Sequence, residues 1–179
     1  MTIIRIITVC LVFCASALAL DYKLDPTFQP QFMPDGNSVL DAYVQTDGKV
    51  IAVGNFSTVN GAAAKFIIRL NSNGTTDPTF VPPTITNTSS SSSAIRGIHR
   101  QSDGKLIITG DFLINSVFTN YARLNADGSL DSSMALAWLN AYIIIPQSDG
   151  KLLISDPRTV SGDTYPVAHR INTDGTVDT

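Results

Sequence analysis

The sequence contains no glutamate: all fifteen of its acidic residues are aspartate. Glutamate favours helices and aspartate favours turns, so a helical protein is a poor expectation. The same absence removes the bidentate glutamate that closes an EF-hand calcium loop and the glutamate of His-Glu zinc motifs. Cysteine occurs only as Cys10 and Cys14, and tryptophan only as Trp138. The 12 basic residues are scattered singly and the formal net charge is −3, so no basic patch invites nucleic acid or anionic lipid. A G-x-S-x-G nucleophile elbow and a phosphate-cradling glycine loop are also missing.

The one long apolar run lies at the start. "MTIIRIITVCLVFCASALAL" has a single basic residue, Arg5, and then runs apolar from Ile6 to Leu20, with Ala15, Ser16, Ala17 and Ala19 near its end. This is the layout of a secretory signal peptide, residues 1–19, with cleavage expected after Ala17 or Ala19. As a helix the run would reach about 22 Å, short of the roughly 30 Å hydrocarbon core, so it is expected to be removed and not to anchor. Phe13 stands before Cys14 where a lipid attachment site needs a small residue. The mature chain, residues 20–179, is then expected to be secreted or held at the cell surface, without membrane insertion. It would carry no thiol, disulfide or cysteine metal site.

What the mature chain has in abundance is repetition. "QTDGKV" at 45–50 returns as "QSDGKL" at 101–106 and again at 147–152. A second phrase follows each: "FIIRLNSNGTTDPTF", "YARLNADGSLDSSM" and "AHRINTDGTVDT". From the Asp of the first phrase to the Arg of the second the offsets are 22, 20 and 21 residues (Asp47 to Arg69, Asp103 to Arg123, Asp149 to Arg170). Between units the spacing is looser, 56 and 46 residues, which puts the length variation in the connections, as in repeat architectures.

Each unit reads as strands between turns. Asp-Gly or Asn-Gly pairs stand at 35–36, 47–48, 60–61, 73–74, 103–104, 127–128, 149–150 and 174–175, and such pairs suit the positive φ angles of tight hairpins. The runs after the first turn, "VIAVG", "LIITG" and "LLIS", are apolar at nearly every position, so both faces of that strand should be covered. In the first unit four antiparallel strands are expected, at 38–45, 49–55, 65–71 and 75–80. A sheet of about 50 residues that is buried on both faces and repeated in tandem describes a propeller blade between two neighbours. The fold class is therefore all-β: tandem four-stranded antiparallel blades of a β-propeller.

"QSDGKLIITGDF" followed by "YARLNADGSLD" resembles the delta-60 repeat, a β-propeller repeat family of secreted and surface proteins, mostly bacterial. The resemblance covers nearly all of residues 24–179 in three copies, about 29–80, 81–134 and 135–179, after a leading repeat tail at 24–28. The third copy departs from it, with "ISDPR" where the others have "VGNF" and "TGDF". The resemblance implies a scaffold and carries no catalytic residue to any position. Three units are fewer than the four to eight of a usual ring, so an incomplete ring, part of a longer protein, is expected.

Candidate sites are turns rather than chemistry. Asp47, Gly48, Asp103, Gly104, Asp149 and Gly150 form the first turn of each unit, and Asn73, Gly74, Asp127, Gly128, Asp174 and Gly175 the second. The second turns space oxygen side chains around a glycine as calcium loops do, but without a closing glutamate they read instead as hairpin turns whose Asn and Asp satisfy their own backbone, and no metal or cofactor is expected. Arg69, Arg123 and Arg170 each precede an aspartate (Asp77, Asp131, Asp178) by eight residues, a spacing that allows an ion pair across a hairpin. Residues 81–93, "VPPTITNTSSSSS", read as a flexible loop, and Asn55, Asn73 and Asn87 open glycosylation sequons. His99 and His169 occupy different positions in their units and belong to no nucleophile and base set. Trp138 is outside any S-x-D-x-G-x-T-W turn of the sialidase kind. The expected function is a non-enzymatic β-propeller scaffold that binds an unknown protein or glycan. A purely structural repeat segment is the alternative, and a carbohydrate-active enzyme, which needs two placed carboxylates, a distant third.

Overall fold

The structure is a computed structural model that describes residues 25–32, 38–88, 94–134, 143–160 and 163–179. The expected signal peptide with both cysteines, the Asp35-Gly36 pair and Trp138 lie outside the described residues. Every element among the described residues is a strand.

Three antiparallel sheets follow one another along the chain. In the first, β1 (Val39–Val44) pairs with β2 (Val50–Gly54), and β2 with β5 (Ile67–Leu70). A side hairpin of β3 (Thr58–Val59) and β4 (Ala62–Ala63) lies between them. The second sheet holds β6 (Ile85–Thr86), β7 (Ala94–Arg100), β8 (Leu106–Ile114) and β9 (Val117–Leu124), with β8 pairing to the other three. The third is β10 (Ile143–Pro146), β11 (Leu152–Val160) and β12 (Asp163–Ile171) in the order of the chain. β11 runs through Asp156 and Pro157, so the departure of the third copy from the repeat does not end its strand.

Two expectations need correction. The strand expected at 75–80 is a single bridge, Leu70 to Thr76, and the same bridge recurs as Leu124 to Leu130 and Ile171 to Val177. In the first copy Pro78 has no amide proton and the Asp77 carboxylate takes that of Thr79 at 3.0 Å, so the ladder loses its donors and the chain turns. The loop expected at 81–93 is partly strand. Ile85 is buried in the core and pairs with Ile114, so its apolar side chain gives this stretch an anchor that its serine-rich end lacks.

The sheets stack face to face, and the alternation of side chains along the middle strands shows how. Leu106 and Ile108 of β8 join a core with Ile51, Val53, Ile67 and Phe80 from the first unit. Ile107, between them, joins a second core with Ile144, Leu152, Ile154 and Ile171 from the third. One strand thus supplies both of its neighbours, as its unbroken apolar run requires. On the outer side of the first sheet, Ala52, Phe56, Ile68 and Leu70 are covered by Phe28 and Phe32, with the rings of Phe32 and Phe56 edge to face at 5.2 Å. We call the side of a sheet turned to the preceding unit its rear face and the other its forward face.

Among the described residues no sheet covers the forward face of the third sheet. Ile51, Ile107 and Leu153 each stand four residues after the Asp of the first turn. Ile107 is fully buried while Leu153 is 37% exposed. Substitution of these two equivalent residues is expected to have unequal cost. Ile107→Ala should lower unfolding free energy by about 2–4 kcal/mol, and Leu153→Ala by about 1 kcal/mol or less. Urea midpoints of the two variants, with unchanged slopes, check this; equal losses would contradict the stacking.

Candidate functional site

The repeated phrases meet at the junctions between sheets. In each first turn the Gly amide donates to the Gln carbonyl three residues back at 3.0 Å, and the Gln amide donates to the Lys carbonyl at 2.8 Å, in the pairs Gln45/Lys49, Gln101/Lys105 and Gln147/Lys151. Gly48, Gly104 and Gly150 have φ of 82°, 89° and 83°, whereas the aspartates before them do not take positive φ. The turn is therefore a three-residue loop ending in a left-handed glycine, not the two-residue hairpin that an Asp-Gly pair suggests. The reason is visible in the side chain: Asp47, Asp103 and Asp149 each accept the amide of the lysine two residues on, at 3.1, 3.0 and 3.0 Å. Asn60-Gly61, with φ of 52° and 76°, is the tight form.

The second turns use the same device with an added hydroxyl. Asn73, Asp127 and Asp174 accept both the amide and the hydroxyl of Thr75, Ser129 and Thr176, with the hydroxyl bonds all at 2.7 Å. The oxygens that the spacing offered to a cation are engaged within the turn. Among the described residues no cluster of three or more His, Cys, Asp or Glu could hold a metal ion. Gly128, at φ 91°, faces Phe80 of the preceding unit so closely that a Cβ there would stand 2.9 Å from the ring. Glycine at this position admits the neighbouring aromatic as well as the turn.

The Arg and Asp eight residues apart do pair, and a lysine joins them. In the first unit Lys49 Nζ and Arg69 Nε both donate to Asp77 Oδ2 at 2.8 Å, and in the second Lys105 Nζ and Arg123 Nε to Asp131 Oδ2 at 2.7 Å. Thr79 and Ser133 donate to the other carboxylate oxygen through amide and hydroxyl. Both arginines and both aspartates are buried. Each arginine also crosses the junction: Arg69 Nη1 donates to the Ala126 carbonyl at 2.8 Å, and Arg123 Nη1 to that of Thr173. Phe80 lies under the Arg69 guanidinium, 4.9 Å from ring centre to Cζ. The third set keeps the bonds of Lys151 and Arg170 to Asp178 Oδ2, but among the described residues no hydroxyl takes the place of Thr79 and Ser133, and its arginine is exposed.

Two further bonds cross the junctions, from Gln101 Nε2 to the Gly150 carbonyl at 2.8 Å and from the Ile98 amide to Asp41 Oδ2 at 3.0 Å. The lysine of the triad was open to sequence reading, since "DGK" recurs in every unit; the junction-crossing glutamine was signalled only by its place before the turn. His99 and His169 stand on strands opposite Ile107 and Ile154, register positions whose partners are buried between the second and third sheets.

Burial opposes the ionised form of Asp77 and Asp131, but hydrogen bonds from Lys49 and Lys105, from the Thr79 and Ser133 groups, and from Arg69 and Arg123 outweigh it, and both carboxyls are held well below the ordinary range. A depressed folded-state pKa stabilises fully above the unfolded value near about 4 and is lost as pH falls through the folded value. Stability is therefore expected to be level from neutral pH to about 4 and to fall steeply below it. Asp131→Asn should cost about 3 kcal/mol at neutral pH, since Arg123 is left buried without its counter-charge, and should flatten the acid limb. Asp178→Asn, at the exposed copy, should cost clearly less; equal losses in urea unfolding would refute the junction role.

The comparisons with known proteins agree with this repeat geometry. No curated protein and no solved structure matches the chain. Residues 45–80, 101–133 and 147–179, more than half of the chain, match the family described as Domain of unknown function (DUF5122) beta-propeller, and each match begins at the glutamine of the first turn; the chain belongs to this family of β-propellers.

Proposed function

We propose that the chain is a non-catalytic scaffold of delta-60-type repeats, secreted or held at the cell surface, whose hairpin ends meet a protein or glycan partner. The observation that carries this reading is a division of labour within each unit. The polar residues that recur, the Asp turns and the Lys, Arg and Asp sets, are spent inside or between units. The hairpin ends, by contrast, differ from unit to unit. The first carries the β3–β4 side hairpin, while the second extends β8 and β9 to a two-residue turn at Asn115 and Ser116. Beside that turn Val117 and Phe118 are exposed, with Phe118 at 52%. Apolar side chains presented on a rigid hairpin suit recognition better than catalysis. The apolar leader, Ile6 to Leu20, supports export.

Screening the purified chain on a glycan array, and against proteins of the extracellular fraction, is expected to find a partner whose binding is lost in Val117→Ser/Phe118→Ser with the melting temperature unchanged. Binding that survives the double change would move the site elsewhere. Glycan hydrolysis abolished by an Asp→Asn change would replace the scaffold reading with an enzymatic one. In the producing cell the exported protein is expected to begin at residue 18 or 20, read by N-terminal sequencing; an intact Met1 on exported protein would refute cleavage.

A further inference from the structure

The sequons at Asn55, Asn73 and Asn87 meet different surroundings in the fold. Attachment of an oligosaccharide to asparagine needs an accessible side-chain nitrogen, a hydroxyl two residues on, and space for a bulky group. Asn55 is half-buried and clipped to Ser38: its amide donates to the Ser38 carbonyl at 3.2 Å, and its Oδ1 accepts the Ser38 amide. The middle residue of that sequon, Phe56, belongs to the core and is 1% exposed. The sequon of Asn87 ends at Ser89, outside the described residues. In the third, Asn73-Gly74-Thr75, both Asn73 and Thr75 are exposed.

The turn fixes how this sequon is presented. Asn73 Oδ1 accepts the Thr75 amide at 3.1 Å and its hydroxyl at 2.7 Å. Because the side-chain amide is planar, an oxygen held inside the turn points Nδ2 away from it, and among the described residues that nitrogen has no partner. The turn does not ask for the nitrogen: Asp127 and Asp174 make the same two bonds at the matching positions. Packing of a neighbouring unit does not hide the position either. Phe80 of the first unit lies against Gly128, yet Asp127 beside it stays exposed. Asparagine stands at this place in the first unit alone, so one turn of the three offers an amide nitrogen there.

We propose that Asn73 is the acceptor of an N-linked oligosaccharide. The donor is of the class in which an oligosaccharide is joined to a lipid through pyrophosphate. Asn73 Nδ2 bonds to the anomeric carbon, the bond from that carbon to the pyrophosphate oxygen breaks, the lipid pyrophosphate leaves with the electron pair, and one amide proton passes to a base. The glycan stands at the turn end of the first sheet, whereas the β3–β4 hairpin is at the other end, so it leaves the hairpin ends open. The inference rests on export of the chain, since such donors are met at an export membrane, and not on what the hairpins bind.

Transfer to the purified, folded chain tests the site apart from export. The chain is mixed with a lipid-linked oligosaccharide and an N-oligosaccharyltransferase, and its peptides are mapped by mass spectrometry. A glycan on Asn73 is expected. Asn73→Asp, the residue of the other two units, should keep the parent's melting temperature and lose the glycan. Thr75→Ser keeps a hydroxyl and should keep the glycan; Thr75→Ala should lose it. A chain that accepts at Asn73 only when unfolded overturns the proposal, as does transfer to Asn55 or Asn87 with Asn73 bare. The exported protein of the producing cell should carry the same glycan, and exported protein bare at Asn73 overturns the proposal while leaving export intact. Protein retained in the cell with Met1 intact would count against export instead, and transfer to the purified chain would still decide for or against Asn73.

Discussion

The structure depends on one constraint: a sheet whose middle strand is apolar on both sides has to be covered on both sides. β8 shows the consequence most plainly, because consecutive residues Leu106, Ile107 and Ile108 are all fully or almost fully buried, yet belong to two different cores. No single unit can satisfy that demand. Burial of each such side chain contributes about 1.5–3 kcal/mol, and it needs a neighbour that the unit cannot supply for itself. Repetition in the sequence follows from this geometry, since the same face must meet the same surface at every junction.

Ion pairs set the register of the stack more than its strength. A guanidinium and a carboxylate withdrawn from water recover little net energy unless every remaining donor and acceptor is met. Here they are met: Asp77 receives Lys49, Arg69 and two groups of Thr79, and the spare arm of Arg69 reaches across to Ala126. Hydrophobic faces can slide against each other, but a bond from Arg69 to one carbonyl tolerates little sliding. Phe80, held between that guanidinium and Gly128, adds a steric stop at the same place. In the third unit the Arg170 side chain is exposed and no carbonyl among the described residues accepts from it.

Local backbone chemistry builds the units on which this stacking acts. Each aspartate or asparagine in a turn captures an amide two residues ahead, and the following glycine takes the positive φ. Asp77 and Asp131 do the same while also holding the ion set, and so one residue both ends the ladder and binds the junction. The hairpin ends differ between the first two units, with an extra hairpin in the first and a long β8–β9 arm in the second.

Much of this was legible in the residues. Period, strand positions near 39–44 and 50–54, two-sided burial and the Arg to Asp pairing all rest on short-range patterns: alternation along a strand, glycine at a turn, a fixed offset of eight. The sequence alone also determined that no glutamate is available to close an EF-hand loop or complete a His-Glu zinc motif. Tertiary contact decided the rest. Whether an arginine is buried or exposed cannot be read from "RLNADGSLD", because Arg123 and Arg170 have nearly the same neighbours in the chain and differ only in having a sheet in front of them. The positive φ of Phe66, a bulky residue for which no local signal exists, arises because its ring is drawn into the first core while its amide and carbonyl bond Phe56 and Gly54. Side-chain environment in a stacked repeat belongs to the neighbour, and a neighbour is a matter of space and not of sequence order.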